Sequence, residues 1–297
     1  MWQGISQQIS KVTGKTFAIA DKASIGGGCI NAAFVISGSC QRRYFVKTNL
    51  SSMLDMFEAE FEGLLEISNS NTVRTPKPIC TGIADNSAFI VMEPLLIHEA
   101  RAGNEGVGLE RLGTRLAALH RVEHALFGWH RHNTIGSTQQ INQQDNDWVA
   151  FWREHRLGFQ LQLAGQHGHS ASLLSQGELL MSKISAFFQS YQPRPSLLHG
   201  DLWSGNVAID ASGEPAIFDP AVYYGDREAD IAMTELFGGF SSRFYSAYND
   251  AYSLDSGYKV RKNLYNLYHV LNHLNLFGES YLGQAQRMTG QLLSEVA

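Results

Sequence analysis

The segment His199-Gly200-Asp201-Leu202-Trp203-Ser204-Gly205-Asn206, followed one turn later by Asp219-Pro220, constrains this 297-residue chain more than any other. Leu197-Leu198 leads in with strand character and Val207-Ala208-Ile209-Asp210 leaves. Ser212-Gly213-Glu214-Pro215 reads as a turn, and Ala216-Ile217-Phe218 returns to deliver Asp219. Such a hairpin sets Asn206 and Asp219 side by side. Asp, Asn, Gly and Pro also favour turns for purely conformational reasons, so each residue alone is as well explained by backbone geometry. Together they meet the spacing H-x-D-x-x-x-x-N with a second aspartate beyond. Phosphoryl transfer from ATP uses that set: an aspartate to hold an acceptor hydroxyl, and an asparagine and an aspartate to hold Mg²⁺ across the phosphates.

If Asp201 serves the acceptor, and Asn206 and Asp219 a metal, the rest of the chain should supply a phosphate cover, a lysine and an acid to orient it. Residues 17–25, 32–37 and 44–47 have strand character, punctuated by Gly26-Gly27-Gly28 and Gly38-Ser39. The triple glycine suits close approach of backbone N–H groups to phosphate oxygens, although a hairpin turn would use the same residues. Lys47 closes the third strand as a point charge for phosphates, with a solvated strand end as the alternative. Over residues 53–68 Phe57, Phe61, Leu64 and Leu65 recur at helical spacing, and Glu60 shares their face, so it is favoured over Glu58 and Glu62 as the partner of Lys47. Residues 79–81 and 88–92 resume as strands. Met92, Glu93 and Pro94 then stand where an adenine edge would meet backbone groups and a deformable apolar side chain.

After Pro94 the pattern turns helical. Leu109, Leu112, Leu116 and Leu119 form one stripe, and helices are expected near residues 147–166, 172–191, 227–238 and 257–277. The expected fold class is α+β: a small β-rich N-terminal nucleotide-binding lobe over residues 1–93, a larger helical C-terminal lobe over 94–297, and a ligand cleft between them. His120, one turn after Leu116, is expected to be a buried support of the Asp201 loop.

Several function classes are disfavoured. Lysine plus arginine total 23 against 28 acidic residues, a net charge of −5, so there is no footprint for nucleic acid. The first residues show neither a basic nor an apolar signal region. The best apolar run, residues 88–97, is about half of what a bilayer needs and is broken by Glu93 and Pro94. A soluble, cytoplasmic protein is expected, with no membrane partner. Cys29, Cys40 and Cys80 form no Cys-x-x-Cys pair, which argues against a disulfide framework or structural zinc. Cys29, beside the glycines, is a candidate redox-sensitive thiol.

The strings Leu198-His199-Gly200-Asp201-Leu202-Trp203-Ser204-Gly205-Asn206, Phe218-Asp219-Pro220-Ala221 and Tyr224-Gly225-Asp226-Arg227-Glu228-Ala229-Asp230 resemble the fructosamine kinase (ketosamine-3-kinase) family. That family has the aminoglycoside phosphotransferase-like, protein-kinase-like bilobal fold. Gly26-Gly27-Gly28-Cys29-Ile30-Asn31-Ala32, Phe45-Val46-Lys47, Phe127-Gly128-Trp129 and Asp147-Trp148-Val149 agree, so the resemblance spans nearly the whole chain. Gly200 stands where protein kinases carry arginine, and Pro220-Ala221 where they carry Phe-Gly, which points to a small-molecule phosphotransferase. The resemblance implies Asp201 as catalytic base, Asn206 and Asp219 as metal ligands, Lys47 with Glu60 as the phosphate-orienting pair, and Asp230 as a structural acid. It further implies ATP and Mg²⁺ as cofactors and a ketosamine or other glycated amine as substrate, phosphorylated on its 3-hydroxyl in deglycation repair. Trp203, which marks ketosamine users there, is expected to flank the sugar, with a core tryptophan as the alternative. Trp148 and Tyr224 are candidates for an aromatic wall, and Asp226 for the substrate amine. The same fold acting on an aminoglycoside, choline or another small alcohol remains an alternative, as does a nucleotide-binding pseudokinase, against which the intact set Lys47, Asp201, Asn206 and Asp219 argues.

Overall fold

The computed structural model describes residues 1–26, 30–39, 41–95 and 104–297. Helix α1 (Trp2–Thr13) passes into strands β1 (Ile19–Ile25), β2 (Ala32–Gly38) and β3 (Arg43–Leu50). Helix α2 (Leu54–Asn69) follows, then strands β4 (Pro78–Ala84) and β5 (Ser87–Met92). The five strands form one antiparallel sheet in the order β1-β2-β3-β5-β4, which puts β3 at the centre and Lys47 opposite both Ala33 and Ile90.

Period-two alternation along β3 decides which helix each side chain meets. Tyr44 and Val46 point to one face, where Ile5 and Ile9 of α1 pack with Ile36, Phe89 and Val91. Phe45 packs on the other with Met56, Phe57 and Leu64 of α2, beside Ile90 and Met92. Lys47 has the parity of Phe45, so it faces α2. Helix α1 lies where the sequence suggested no element, since its buried apolar residues are a single pair, Ile5 and Ile9, among glutamines and serines.

Beyond the sheet the chain is mostly helical. Helix α3 (Asn104–Leu119) buries Leu112, Leu116 and Leu119 of the expected stripe. A short hairpin of β6 (Asn133–Ile135) and β7 (Thr138–Gln140) precedes α4 (Trp148–Trp152), a π-helical turn over 153–158 and α5 (Phe159–Gln166). Asp147 caps α4, accepting the N–H groups of Val149 and Ala150 at 2.8 and 3.2 Å. Helix α6 (Ala171–Lys183) tightens into a 3₁₀ turn over 184–188. Four three-residue strands follow: β8 (Ser196–Leu198), β9 (Val207–Ile209), β10 (Pro215–Ile217) and β11 (Tyr223–Gly225). They pair as β8 with β11 and β9 with β10. Helices α7 (Glu228–Leu236), α8 (Ser242–Ala251), α9 (Tyr258–Phe277) and α10 (Leu282–Glu295) complete the chain. No described helix is long and apolar enough to cross a membrane.

The sheet and the helical part meet along α2. Gly63 leaves room for the 220–222 segment, since a Cβ there would sit 3.1 Å from a Val222 methyl, and Ile217 donates its N–H to the Arg74 carbonyl at 2.9 Å. A comparable close approach joins α3 to α8, where a Cβ on Gly113 would fall 2.4 Å from the Phe244 carbonyl oxygen. Backbone cannot yield there as a side chain can. Gly113→Ala is therefore expected to lower stability by about 1–3 kcal/mol, read as a lower urea midpoint; an unchanged midpoint would show that the two helices separate freely.

Candidate active site

The Asp201 loop is shaped by a buried carboxylate on α7. Asp230 accepts the backbone N–H groups of His199 at 2.7 Å and Gly200 at 2.8 Å, and its Oδ2 lies 3.2 Å from His120 Nε2. Burial alone would raise its pKa, but these donors reverse the effect and hold the carboxyl below its ordinary range. His120 also meets the Tyr248 hydroxyl at 2.8 Å, so it is the buried support expected of it. Gly200 has φ +82°, and a Cβ there would sit 2.0 Å from the Ala221 carbonyl oxygen. No side chain fits in this arrangement, an arginine included.

His199 ties the loop to the returning strand. Its Nδ1 accepts the Asp201 N–H at 3.3 Å, so Nε2 carries the proton and donates to the Phe218 carbonyl at 2.9 Å. Phe218 in turn donates its N–H to the Asn206 carbonyl at 3.1 Å, so the β9–β10 ladder brings the ends of the two segments together. Asp219 follows in a left-handed conformation, φ 58°, which Asp tolerates better than most residues.

Five side chains meet at this point. Lys47 Nζ donates to Glu60 Oε1 at 2.7 Å and also to Asp219 Oδ1, which lies 172 residues away in the chain. Burial alone would lower the lysine's pKa, but the two carboxylates more than offset it and the ammonium stays charged. Asn206 Nδ2 donates to the carbonyl of Asp201 at 2.8 Å and to its Oδ2 at 3.2 Å, leaving Oδ1 as the remaining polar atom of that amide. Burial, with the charge of Asp219 second, pushes the Asp201 carboxyl up to about 7 against the opposing Asn206 hydrogen bond. Glu60 and Asp219 thus hold one ammonium, and the Asp201 carboxyl lies within reach of the Asp219 charge. That surplus of negative charge, with oxygen as the available donor, suits a hard divalent cation. Among the described residues no group of three or more His, Cys, Asp or Glu can hold a metal by itself, so a cation here would draw further oxygens from a ligand, as Mg²⁺ does from nucleotide phosphates.

Other expected positions fall differently. Gly26 is described and a Cβ there would touch nothing, whereas Gly27, Gly28, Cys29 and Cys40 lie outside the described residues. Cys80 is buried, and burial pushes its thiol up to about 12. The Met92 side chain is packed in the core beneath α2; Glu93 donates its N–H to the Lys77 carbonyl and meets Arg74 at 3.2 Å, with Pro94 next to it. Trp203 is 37% exposed and its ring lies over Gly205 in the Asp201 loop. Trp148, by contrast, is a core residue, stacked with Phe151 and donating to the Tyr265 hydroxyl at 3.2 Å. The Tyr224 hydroxyl is spent on Glu66 at 2.7 Å. Asp226 is not at a substrate face: it is fully buried, bonded to the hydroxyls of Tyr191 and Tyr265, and it accepts the Glu228 N–H at 3.1 Å at the start of α7. Its place just before that helix explains the difference, because an aspartate there satisfies helix N–H groups.

Two contributors carry little local signal in the sequence. Asn49 of β3 donates to the Ile30 carbonyl and to Asn31 Oδ1, tying the chain after the glycines back to the sheet. Arg156, fully buried, lies over the rings of Tyr223 and Phe151 and donates to Asn142 Oδ1 at 2.8 Å. Phe151 and Tyr223 are therefore packing around a buried guanidinium, and Trp148 stacks on Phe151 behind them.

Comparison with known proteins agrees with this geometry. The family model described as fructosamine kinase matches residues 1–295. A relative from Synechocystis, named a probable ketoamine kinase, is 46% identical over 98% of this chain and 97% of its own. The crystal structure of a protein assigned as a fructosamine-3-kinase from Haemophilus somnus superposes with a TM-score of 0.90 at 29% identity, covering 99% of this chain and 98% of that one. An ADP-bound aminoglycoside phosphotransferase shares the fold, with a TM-score of 0.61 at 14% identity over 96% of each chain.

An acid whose pKa is higher folded than unfolded makes ionisation costly to the fold. For Asp201 the loss is absent below the ordinary carboxylate range, grows between about 4 and about 7, and is constant above. Asp201→Asn should therefore be more stable than the parent by an amount that grows over that interval to on the order of 1–3 kcal/mol. Urea unfolding of both proteins at several pH values checks this, and a pH-independent difference would contradict it.

Proposed function

Because the chain belongs to the fructosamine kinase family and is a phosphotransferase, we propose that it transfers the γ-phosphoryl group of ATP to the 3-hydroxyl of a fructosamine or ribulosamine. The observation that carries this reading is the contact of Lys47 with both Glu60 and Asp219, made beside an Asp201 carboxyl that is poised near neutrality. In this reading residues 1–93 form the nucleotide lobe and residues 94–297 the substrate lobe.

Asp201 accepts the proton of the 3-hydroxyl as that oxygen bonds to the γ-phosphorus, while the bond from phosphorus to the bridging oxygen breaks and ADP leaves. Its pKa, raised to about 7, makes it a better proton acceptor than an ordinary aspartate while still largely ionised at slightly alkaline pH. Lys47, held by Glu60, steadies the phosphates, and the Gly26-Gly27-Gly28 segment covers them, with the Met92, Glu93 and Pro94 segment at the adenine edge through its remaining backbone groups, the Met92 side chain and the Glu93 N–H being engaged elsewhere. Asn206, through its Oδ1, and Asp219 would hold Mg²⁺, which when bound supplies charge neutralisation on the transferred phosphoryl group. Trp203, with its exposed ring on the same loop, flanks the C–H face of the sugar. A carbohydrate hydroxyl is a weak nucleophile, so positioning by these groups must supply most of the rate. The 3-phosphate product then sheds its amine spontaneously, which makes the reaction a deglycation.

Incubation with ATP, Mg²⁺ and a panel of ketosamines, aminoglycosides and choline tests the substrate class. Phosphate on C3 of a ketosamine is the expected product, and turnover with the other alcohols alone would overturn the assignment. Asp201→Asn should lower kcat by roughly 10²–10⁴. Trp203→Ala should raise KM for the ketosamine and leave KM for ATP unchanged, while chelation of divalent cations should abolish turnover.

A further inference from the structure

Apart from the Asp201 region, the helical part contains a cavity of about 610 Å³ whose wall includes Arg121, Arg194, Arg227 and Ser196. Arg194 is answered by Glu123 at 3.2 Å. Arg121 and Arg227 have no carboxylate partner among the described residues. Arg121 donates to the Ala251 carbonyl. Arg227, only 7% exposed, donates to the Tyr248 hydroxyl at 3.0 Å and to the carbonyls of Tyr252 and Ser253 at 2.9 and 2.6 Å. Both guanidiniums lie over the Tyr252 ring, 4.7 and 3.7 Å from its centroid. The ring face favours each cation, but two like charges gathered at one ring repel.

A second, independent feature sits on the same wall. Ser196 Oγ is buried without a hydrogen-bond partner, in a residue 1% exposed. Buried polar atoms are nearly always satisfied, so this hydroxyl is free to take a water or a ligand. The carboxylates behind the wall form no ion pair with Arg121 or Arg227, although the charge of Glu228 is felt at Arg227. Asp226 is engaged by Tyr191 and Tyr265, and Glu228 by Arg261.

We infer that this cavity binds the phosphate monoester of a small polyhydroxylated molecule. Planar guanidinium donors and a serine hydroxyl suit a tetrahedral oxyanion. Gln192 and Glu123 on the same wall supply partners for hydroxyl groups, and the volume falls in the range of small-molecule sites rather than that of a bare phosphate. Ser196 opens β8, which runs into His199, and Arg227 immediately precedes α7, which carries Asp230. A bound ester therefore bridges the two segments that support the Asp201 loop.

Calorimetric titration of the full chain tests this, with Mg²⁺ and a non-hydrolysable ATP analogue in excess so that nucleotide-site binding does not contribute. Glucose 6-phosphate should bind at millimolar concentrations or below and more tightly than inorganic phosphate, with affinity falling roughly tenfold in Arg121→Gln and several-fold in Ser196→Ala. Equal affinity for the two titrants would overturn the monoester assignment in favour of a bare oxyanion. Absence of binding by either, or affinities unchanged in both variants, would sink the site. The readout is binding, so ketosamine turnover by a protein that binds neither titrant would remove this inference and leave the kinase reading intact.

Discussion

One buried carboxylate organises the centre of the molecule. Asp230 gathers the backbone N–H groups of His199 and Gly200 and the ring of His120. An isolated carboxylate at that depth would be costly, so the donors and the acid depend on one another. The turn before Asp201 has its shape because those two N–H groups aim at a single acceptor. The absence of a side chain at Gly200 follows from the same constraint, since the tightened turn presses against the Ala221 carbonyl. His199 extends the arrangement to Phe218 and thereby to the backbone of Asp219.

The second dependence runs between the two halves of the chain. Lys47 sits on a central strand and Glu60 on the helix that covers it, so their pairing belongs to the sheet layer. Asp219 comes from the other half, and its contact with Lys47 joins the lysine to the returning hairpin. Burying such charges stabilises little in net terms, because desolvation offsets most of the Coulombic gain. What the arrangement achieves is chemical: a permanently charged lysine, and an Asp201 carboxyl lifted toward neutrality by burial and by the nearby Asp219 charge. The left-handed backbone of Asp219 is a further local cost tolerated at the same place.

Legibility in the sequence followed the range of the interactions involved. The β9–β10 hairpin, the face shared by Glu60 and Leu64, the α3 stripe and the α7 and α9 helices depend on neighbours within a few residues, and their periodicity or turn chemistry could be read directly. Helix α1 could not, because its helicity rests on two isoleucines that meet the sheet. Trp148, Tyr224 and Asp226 were plausible around a sugar because aromatic and acidic residues look alike whether they line a cleft or a core. Their partners, Tyr265, Glu66 and Tyr191, are 117, 158 and 35 residues distant.

By itself the sequence determined the family and the α+β class, and it singled out Lys47, Glu60, Asp201, Asn206 and Asp219 as the proposed phosphate-handling set, because those are written in short spacings around Asp201 and in the parity of Lys47 along its strand. Only the tertiary structure decided that Lys47 meets Asp219, that Asp226 is a buried cap and that Arg121, Arg227 and Ser196 share a cavity. Burial and charge pairing between distant segments set whether a given side chain is a reagent or a brace, and neither quantity exists until the chain has closed on itself.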